Sequence, residues 1–366
     1  MTDEDYMRRA IIAGDRMSGN TAENPSVGCV IVKAGEIIAV ANTDAGGRPH
    51  AETQALLMAG QSAKGATAYV TLEPCCHHGR TPPCANALVE AGIARVVTGC
   101  QDPDPRVSGK GYQVLRDAGV EVTEGVLSRE IEWQLRAFLT RHLRKRAYVT
   151  LKLAISSDGK IAAKPGEETS ITGNEARSRV HLMRAGADAI LVGVSTILAD
   201  DPDLTCRLPG MQHNSPVRVV SDSRLSIPLD ARLVKTATTT PVMIMTTCDA
   251  NPDKKAKLLE AGVTVVECKS TPDGKVDLEA MLHQLAENGL SHVMAEGGAH
   301  MARALVEADL VDEAVLLTAP IKIGPQGVDA MAGLPLDTIR ASTRFRQRQE
   351  NEKLGNDWLA QFVRVR

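Results

Sequence analysis

Short apolar runs alternate with amphipathic stretches along the first 100 residues of the chain. Stretches with apolar side chains on one face predict helices at about residues 4–18, from His50 onward, and from the cysteine segment to residue 91. Apolar runs of strand length predict strands at 27–32, 36–41, 68–72 and 95–100. Strands and helices that alternate in this way predict a three-layer α/β/α domain.

From residue 148 onward the pattern contains more strands. Apolar runs predict strands at 148–154, 189–192, 217–220, 242–245, 264–266, 292–295 and 314–317, with helical segments between them. This spacing predicts a doubly wound α/β sheet. The basic run 141–146 is interpreted as a solvated helix end or a linker. We therefore predict two domains, 1–146 and 147–366.

Composition narrows the class of protein. The chain has 366 residues, a formal net charge of -3 and only 2% aromatic residues, so neither a nucleic-acid backbone nor a stacked single strand is an expected partner. No apolar run reaches about 18 residues, so no membrane-spanning helix is predicted. The acidic N-terminus does not resemble a secretory signal, and we expect a cytoplasmic protein. Outside the zinc segment described below, buried free thiols are expected at Cys29, Cys100, Cys206, Cys248 and Cys268.

Two segments of the first domain combine the ligand types of a catalytic zinc site. His50, Cys75 and Cys84 supply three ligands, and Glu52 follows the histidine by two residues. A catalytic zinc keeps three protein ligands and leaves the fourth position to water, whose pKa then falls to about 7. Glu52 could turn toward that water and carry a proton to a departing amine. This combination predicts deamination of an amine-bearing heterocycle.

The spacing of the cysteines departs from that of nucleobase deaminases, which carry H-x-E followed by P-C-x-x-C. Here eight residues separate Cys75 from Cys84, and they could hold part of a larger, anionic substrate. The alternative is a closed structural zinc site whose fourth ligand is Cys76, His77 or His78. Such a site would have no use for Glu52.

The second domain contains one glycine signal for a ligand site. Glu296-Gly297-Gly298-Ala299 follows an apolar strand and precedes a helical stretch, where bare backbone amides can bind phosphate. The alternative is a tight turn without a ligand. Lys152, Thr196, Asp200 and Arg207 also fall near the ends of predicted elements, where open α/β sheets place ligands. Each could instead be a surface or turn residue.

Taken together, these motifs resemble the bifunctional deaminase/reductase family of riboflavin biosynthesis over essentially the whole chain. The first-half motifs are Asn24 to Gly28, Pro49 to Glu52, and Glu73 to Cys84 with its long inter-cysteine loop. The resemblance implies a cytidine-deaminase-like fold, zinc on the three ligands named above and proton transfer by Glu52. It also implies substrate contacts from Asn24, Arg80 and Thr81.

The second-half motifs imply a dihydrofolate-reductase-like α/β domain that uses NADPH. They are Lys152 to Ala154, Ser157 to Gly159, Ile171 to Gly173, Leu182 to Ala185, Leu198 to Arg207, and Glu296 to Gly298. The resemblance implies catalytic roles for Lys152, Asp200 and Glu296. It implies cofactor contacts from Ala154, Ser170, Thr196, Asp200, Gly297 and Gly298. It implies substrate contacts from Glu168, Arg184, Leu204, Arg207 and Glu296, with Arg184 and Arg207 as clamps for the substrate phosphate.

The implied substrate is a small phosphoribosylated pyrimidine, first deaminated and then reduced at the ribosyl C1′ to a ribityl chain. Two places depart from the family pattern: Thr43 stands where a histidine is expected, and Glu168-Thr169-Ser170 where Ser-x-Trp is expected. We also expect a homo-oligomer. The competing hypotheses are a zinc deaminase of another base with an inactive second domain, and a zinc-stabilised scaffold whose second domain senses a nucleotide.

Overall fold

The computed structural model describes residues 1–77, 82–165 and 169–365. Within them the chain forms two compact units, Met1–Lys145 and Arg146–Arg366. The substrate residues expected at Arg80, Thr81 and Glu168 lie outside the described residues.

The first unit is built on one five-stranded mixed sheet. Its strands are β1 (Gly28–Lys33), β2 (Glu36–Asn42), β3 (Thr67–Leu72), β4 (Arg95–Cys100) and β5 (Glu121–Thr123). They lie in the order β2-β1-β3-β4-β5, where β1 is antiparallel to both neighbours and β3, β4 and β5 run parallel. The four predicted strands are confirmed to within a residue or two, whereas the three-residue β5 was too short to give an apolar run.

Helices of the first unit pack against this sheet. They are α1 (Asp3–Asp15), α2 (Ala51–Ala59), α3 (Cys84–Glu90), α4 (Lys110–Asp117), α5 (Ser128–Gln134) and α6 (Arg136–Arg144), with 3₁₀ turns at Ala45–Gly47 and Gly60–Ala63. The first five residues of β1 are all buried, which requires apolar cover on both faces of the sheet. The expected α/β class is confirmed for this unit.

The second unit contains a ten-stranded sheet and a two-stranded ribbon. Its strands are β6 (Tyr148–Ile155), β7 (Lys160–Ala162), β8 (Ala189–Gly193), β9 (Val217–Ser221), β10 (Val242–Thr246), β11 (Thr264–Glu267), β12 (His292–Ala295), β13 (Glu313–Thr318), β14 (Val328–Asp329), β15 (Phe345–Gln347), β16 (Glu352–Leu354) and β17 (Asp357–Arg364). The large sheet follows the order β11-β10-β9-β8-β12-β6-β13-β17-β15, with β16 also paired to β17 and β7 paired to β14.

The strands from β11 to β13 are parallel, as a doubly wound sheet requires, but β17 is antiparallel to β13. The expected α/β class is confirmed for this unit, with β17, β15 and β16 joined to its parallel part as antiparallel strands. Buried and exposed positions are mixed along β17, and it lacks the continuous apolar run by which the inner strands were recognised. The chain lays β12 between β8 and β6, which brings the carboxyl ends of these three strands together.

Helices connect the strands of the second unit. They are α7 (Asn174–Ala185), α8 (Val194–Asp200), α9 (Arg232–Lys235), α10 (Pro252–Glu260), α11 (Leu278–Glu287), α12 (Ala299–Glu307) and α13 (Asp337–Arg340), with a 3₁₀ turn at Gln212–Asn214. Two of them, α8 and α12, begin close to the ends of β8 and β12. They bring their first turns to the same region of the sheet.

Two interpretations of exposure are wrong. Arg146 was placed in a solvated basic run, yet it is buried and its guanidinium forms a bidentate pair with Asp312, at 2.6 and 2.9 Å. Cys248 is exposed and Cys100 is half-buried, whereas Cys29, Cys206 and Cys268 are buried thiols as expected. The described residues contain no helix that is both long and apolar enough to cross a membrane.

Candidate active sites

Three separate elements of the first unit bring His50, Cys75 and Cys84 together. His50 is the N-cap of α2, Cys75 follows the end of β3, and Cys84 is the first residue of α3. The Nδ1 atom of His50 lies 3.6 Å from Sγ of Cys75 and 3.4 Å from Sγ of Cys84. Tetrahedral zinc with Zn–S and Zn–N bonds of about 2.3 and 2.0 Å requires ligand separations of about 3.5 Å. The donor set therefore fits zinc.

The local electrostatics favour a thiolate at this position. The hydrogen bond with Cys84 lowers the pKa of Cys75 to about 4, and the bond to His50 adds to it against the opposing effect of burial. The backbone N–H of Cys84 also points at Sγ of Cys75, at 3.4 Å. The thiol of Cys84, in contrast, has its pKa raised by the neighbouring Cys75 and by burial. One sulfur is thus held ready as an anion by the first turn of α3.

Glu52 lies in the first turn of α2 and is 4% exposed. Burial raises the pKa of its carboxyl to about 7, although the charge of His50 opposes this shift. A dication held by the three ligands would lower this pKa again, because positive charge favours the carboxylate. Glu52 lines the same cavity as His50 and Cys75, so its carboxyl can exchange a proton with a molecule bound there.

That cavity has a volume of about 410 Å³ and is large enough for a small heterocycle. Asn24, for which a substrate contact is predicted, lines this cavity, and so does Thr43. The Thr43 hydroxyl accepts a hydrogen bond from the Val27 amide and donates one to the Pro25 carbonyl, both at 3.0 Å, so it stabilises the loop that carries Asn24.

Several ionisable residues that were not predicted for this site also line the cavity. They are Arg48, Asp102, Asp104, Arg106, Arg141 and His142. Arg141 and His142 belong to the basic run that was interpreted as solvated, so that interpretation is wrong for them. No periodicity could have found these residues, because they come from loops and a helix far apart along the chain.

The described residues do not supply a fourth ligand for a closed structural site. The only group of potential metal ligands that gathers in them is His50, Cys75 and Cys84. The Cys76 thiol donates to the Arg106 carbonyl at 3.5 Å, and Nδ1 of His77 is buried without a hydrogen-bond partner. His78 lies outside the described residues. An open fourth position is the arrangement of catalytic zinc.

The second unit has its own buried charge cluster. Glu296 directly follows β12, Lys152 lies on the neighbouring β6, and Arg184 lies on α7. Arg184 donates to both carboxylate oxygens of Glu296, at 2.7 and 3.0 Å, and Nζ of Lys152 lies 3.5 Å from Oε2. Burial alone would raise the pKa of Glu296, but the charges of Lys152 and Arg184 and their hydrogen bonds lower it to about 2. Glu296 is therefore an anion that holds two cations in place.

The glycine pair after Glu296 packs at the start of α12. Gly298 is the N-cap of this helix, and its amide donates to the Thr196 hydroxyl at 3.3 Å. A Cβ atom at Gly297 would lie 2.7 Å from Cβ of Met301, so only glycine fits there. This links the first turns of α8 and α12 at the carboxyl edge of the sheet, where Lys152 and Glu296 also lie.

Comparison with known proteins accounts for both units. Residues 1–100 match the cytidine and deoxycytidylate deaminase zinc-binding region, and residues 147–360 match the RibD C-terminal domain. The riboflavin biosynthesis protein RibD of Actinobacillus pleuropneumoniae is 42% identical over 364 residues, which cover 99% of this chain and 96% of that protein. The chain belongs to the RibD family.

Solved structures of RibD proteins have the same fold over their full length. Acinetobacter baumannii RibD, form 1, is 36% identical with a TM-score of 0.88 and covers 100% of this chain and 99% of its own. The Thermotoga maritima diaminohydroxyphosphoribosylaminopyrimidine deaminase/5-amino-6-(5-phosphoribosylamino)uracil reductase is 33% identical with a TM-score of 0.86 and covers 99% of both chains. As a RibD protein, the chain is a bifunctional enzyme of riboflavin biosynthesis with a zinc-binding deaminase domain and a reductase domain.

The remaining residues that were expected in the reductase site lie at varied depth. Leu204 is buried and has a positive φ of 53°. Ala154 is half-buried on β6. Asp200 is exposed at the end of α8, and Ser170 is exposed and accepts from Arg177 at 3.2 Å.

The two arginines expected to clamp phosphate have different surroundings. Arg207 is 57% exposed in its side chain and lies 3.6 Å from Asp203. Arg184 already donates to Glu296 and, through Nη1, to the Thr205 carbonyl at 3.0 Å. Arg207 is therefore the more available of the two for an incoming anion.

A second cavity, of about 950 Å³, opens beside the glycine pair, between the loops after β8, β9 and β11. Its lining includes Gly193, Ser223, Arg224 and His300 together with part of the 271–279 segment. In the sequence, only the neighbouring glycine motif predicts a ligand site in this region. The serine-rich turn after β9 matches no phosphate-binding fingerprint.

Proposed function

We propose that this RibD protein hydrolytically deaminates 2,5-diamino-6-(5-phosphoribosylamino)pyrimidin-4(3H)-one and then reduces the ribosyl group of the product to ribityl with NADPH. The observation that carries the proposal is that the His50-Cys75-Cys84 ligand set lies beside a buried carboxyl, Glu52, which lines one cavity together with His50 and Cys75. The Thermotoga maritima relative is named for this pair of activities, which supports the choice of substrate.

In the first domain, the chain's own groups bind the substrate and move one proton. Zinc held by the three ligands would supply a water molecule that is deprotonated near neutral pH. The Glu52 carboxyl takes that proton and passes it to the 2-amino nitrogen, so that oxygen adds to C2 of the ring and ammonia leaves. Asn24 contacts the ring. The guanidinium groups of Arg48 and Arg141 lie in the cavity wall, where they suit the 5-phosphate.

In the second domain, the substrate is the open-chain imine at the ribosyl C1′. Bound NADPH would supply the hydride. Lys152 donates a proton to the imine nitrogen as C1′ is reduced, while Glu296 holds the ammonium group at 3.5 Å. Arg184 fixes Glu296 from the other side, and Arg207 is placed to receive the phosphate.

The cofactor position follows from the cavity of about 950 Å³. Its volume is in the range of known ligand sites, and it begins at the amide-rich first turn of α12. Thr196 follows Ser195, which lines the cavity, and Gly297 packs against Met301, which also lines it. We propose that the cofactor diphosphate lies there and that the adenosine extends toward Ser223 and Arg224.

The proposal can be tested with purified enzyme in one cuvette that contains the diaminopyrimidine substrate and NADPH. Ammonia release and nicotinamide absorbance are followed together. We expect ammonia first and NADPH consumption second. Glu52→Gln should abolish ammonia release with unchanged zinc content, yet still reduce the deaminated intermediate. Lys152→Ala should do the reverse, so each variant is the control for the other.

Other outcomes would contradict parts of the proposal. If ammonia is released only from a free base or nucleoside, the first domain is a deaminase of another base. No activity with either substrate, in zinc-loaded protein, would favour the scaffold hypothesis. The cytoplasmic location and the homo-oligomeric state stay predictions from the sequence.

A further inference from the structure

Glu73 is a buried acidic residue to which the two reactions assign no role. It lies between the end of β3 and Cys75, is 2% exposed, and contacts a segment 29 or more residues further along the chain. Its Oε2 accepts from the backbone amides of Asp102 at 3.2 Å and Gly109 at 3.0 Å. Its Oε1 accepts from those of Gly111 at 2.9 Å and Tyr112 at 3.4 Å.

This contact is built for a carboxylate. All four groups are donors, so each oxygen must act only as an acceptor, and a carboxylate is the side chain that offers two such oxygens. The first turn of α4 supplies two of the amides, which favours negative charge further. A Cβ atom at Gly111 would lie 2.2 Å from the Pro74 carbonyl oxygen, so the two segments are in direct backbone contact.

The segment held by Glu73 forms one wall of the deaminase cavity. Asp102, Asp104, Arg106 and Val107 all line it. Within the wall, the Asp102 carboxylate accepts a hydrogen bond from the Asp104 amide at 2.8 Å, so a shift of Asp102 would also move Asp104. On its other side Glu73 is two residues from the zinc ligand Cys75.

We propose that Glu73 is a positioning residue that sets the distance between the zinc-ligand segment and the 102–107 wall against which the pyrimidine binds. Glu73 itself also lines the cavity, but it is not one of the gathered metal ligands, and its four hydrogen bonds go to backbone amides. Its four hydrogen bonds hold the zinc-ligand segment and the 102–107 wall together, so the distance between the metal ligands and that wall is fixed. This inference rests on the deaminase function proposed above.

Glu73→Gln tests the role with almost no change in side-chain volume. The amide replaces one acceptor oxygen by a donor, so two of the four hydrogen bonds become donor-to-donor contacts. We expect the KM of ammonia release to rise at least tenfold while kcat changes less than threefold, because zinc and Glu52 are untouched. Zinc content and reduction of the deaminated intermediate should stay as in the parent enzyme. The exposed Glu90→Gln on α3 is the matched control and should leave both constants unchanged.

Gly111→Ala is a second variant that keeps the charge. Its Cβ must push α4 away from the Pro74 carbonyl, so the same KM effect should appear even if Glu73→Gln fails to fold. Backbone amide exchange at residues 102–112, measured by mass spectrometry, should increase in both variants and not in the control.

The two kinds of failure are distinguishable. An unchanged KM in zinc-loaded Glu73→Gln and Gly111→Ala would overturn the positioning role. This holds even if the melting temperature or the zinc content falls, because a group with a purely structural role would change only these two quantities. If the parent enzyme itself releases no ammonia from the diaminopyrimidine substrate, the deaminase function on which the inference rests is refuted.

Discussion

The buried charge cluster of the reductase domain gives a prediction that can be worked out in numbers. Arg184→Met keeps most of the side-chain bulk but removes both hydrogen bonds to the Glu296 carboxylate. Glu296 then keeps only Lys152, at 3.5 Å, as a cationic partner. A buried carboxylate that loses its bidentate partner is expected to cost about 3–5 kcal/mol of the free energy of unfolding.

The lowered pKa of Glu296 gives a second estimate of similar size. Its pKa falls from 4.5 to about 2 on folding, and each unit corresponds to about 1.4 kcal/mol. Because the folded pKa is the lower one, this contribution is fully present above about pH 4.5 and is lost as the pH falls through about 2. This net value is what remains after burial has opposed the two cations, so the charge effect that Lys152 and Arg184 share is larger than about 3 kcal/mol.

Urea unfolding followed by circular dichroism measures the cost, and NADPH oxidation measures the function. Relative to the parent enzyme, Arg184→Met should lose stability most at neutral pH, and the difference should narrow below about pH 4.5. The acid limb of the reductase pH profile should move upward, because burial now outweighs the remaining cation and raises the pKa of Glu296. Arg207→Met is the control for the stability measurement, because the exposed ion pair of Arg207 contributes less than about 1 kcal/mol to the free energy of unfolding.

A clear result would refute this reasoning. If Arg184→Met is as stable as Arg207→Met but raises the KM for the phosphorylated substrate, Arg184 acts as a phosphate clamp and not as the partner of Glu296. Adding Glu296→Gln separates the two further. The double variant should recover stability if an unpaired buried charge caused the loss.

Three further predictions concern backbone contacts and the metal. Gly47→Ala should raise the KM of ammonia release severalfold, because φ is +87° there and the new Cβ would lie 2.3 Å from Nδ2 of Asn24; an unchanged KM would remove Asn24 from the substrate contacts. Gly297→Ala should raise the KM for NADPH with ammonia release unaffected, because its Cβ would lie 2.7 Å from that of Met301; equal loss of both activities would contradict a local effect. Zinc chelation should stop ammonia release and spare NADPH oxidation, measured on the deaminated intermediate, and loss of both would show that zinc serves more than the first domain.

Much of the fold could be predicted because periodicity is a local property. The inner strands are buried on both faces, so each appears as an apolar run, and β1, β4 and β12 were found nearly to the residue. Strand β17, which pairs with β13, β15 and β16, was not predicted because exposed positions interrupt its pattern. The short β5 and β15 owe their conformation to pairing with a neighbour, which no local pattern records.

The candidate sites divide in the same way. The available chemistry could be predicted from local sequence: His50, Cys75 and Cys84 are ligand types at a recognisable spacing, and Glu52 follows within one helical turn. Which charged groups meet depends on the folded chain. Arg184 is expected from the family resemblance to bind phosphate, whereas its hydrogen bonds to Glu296, 112 residues away, are visible only in the structure. Such pairs are set by how the sheet is ordered and by how much water is excluded, and both are properties of the packed chain.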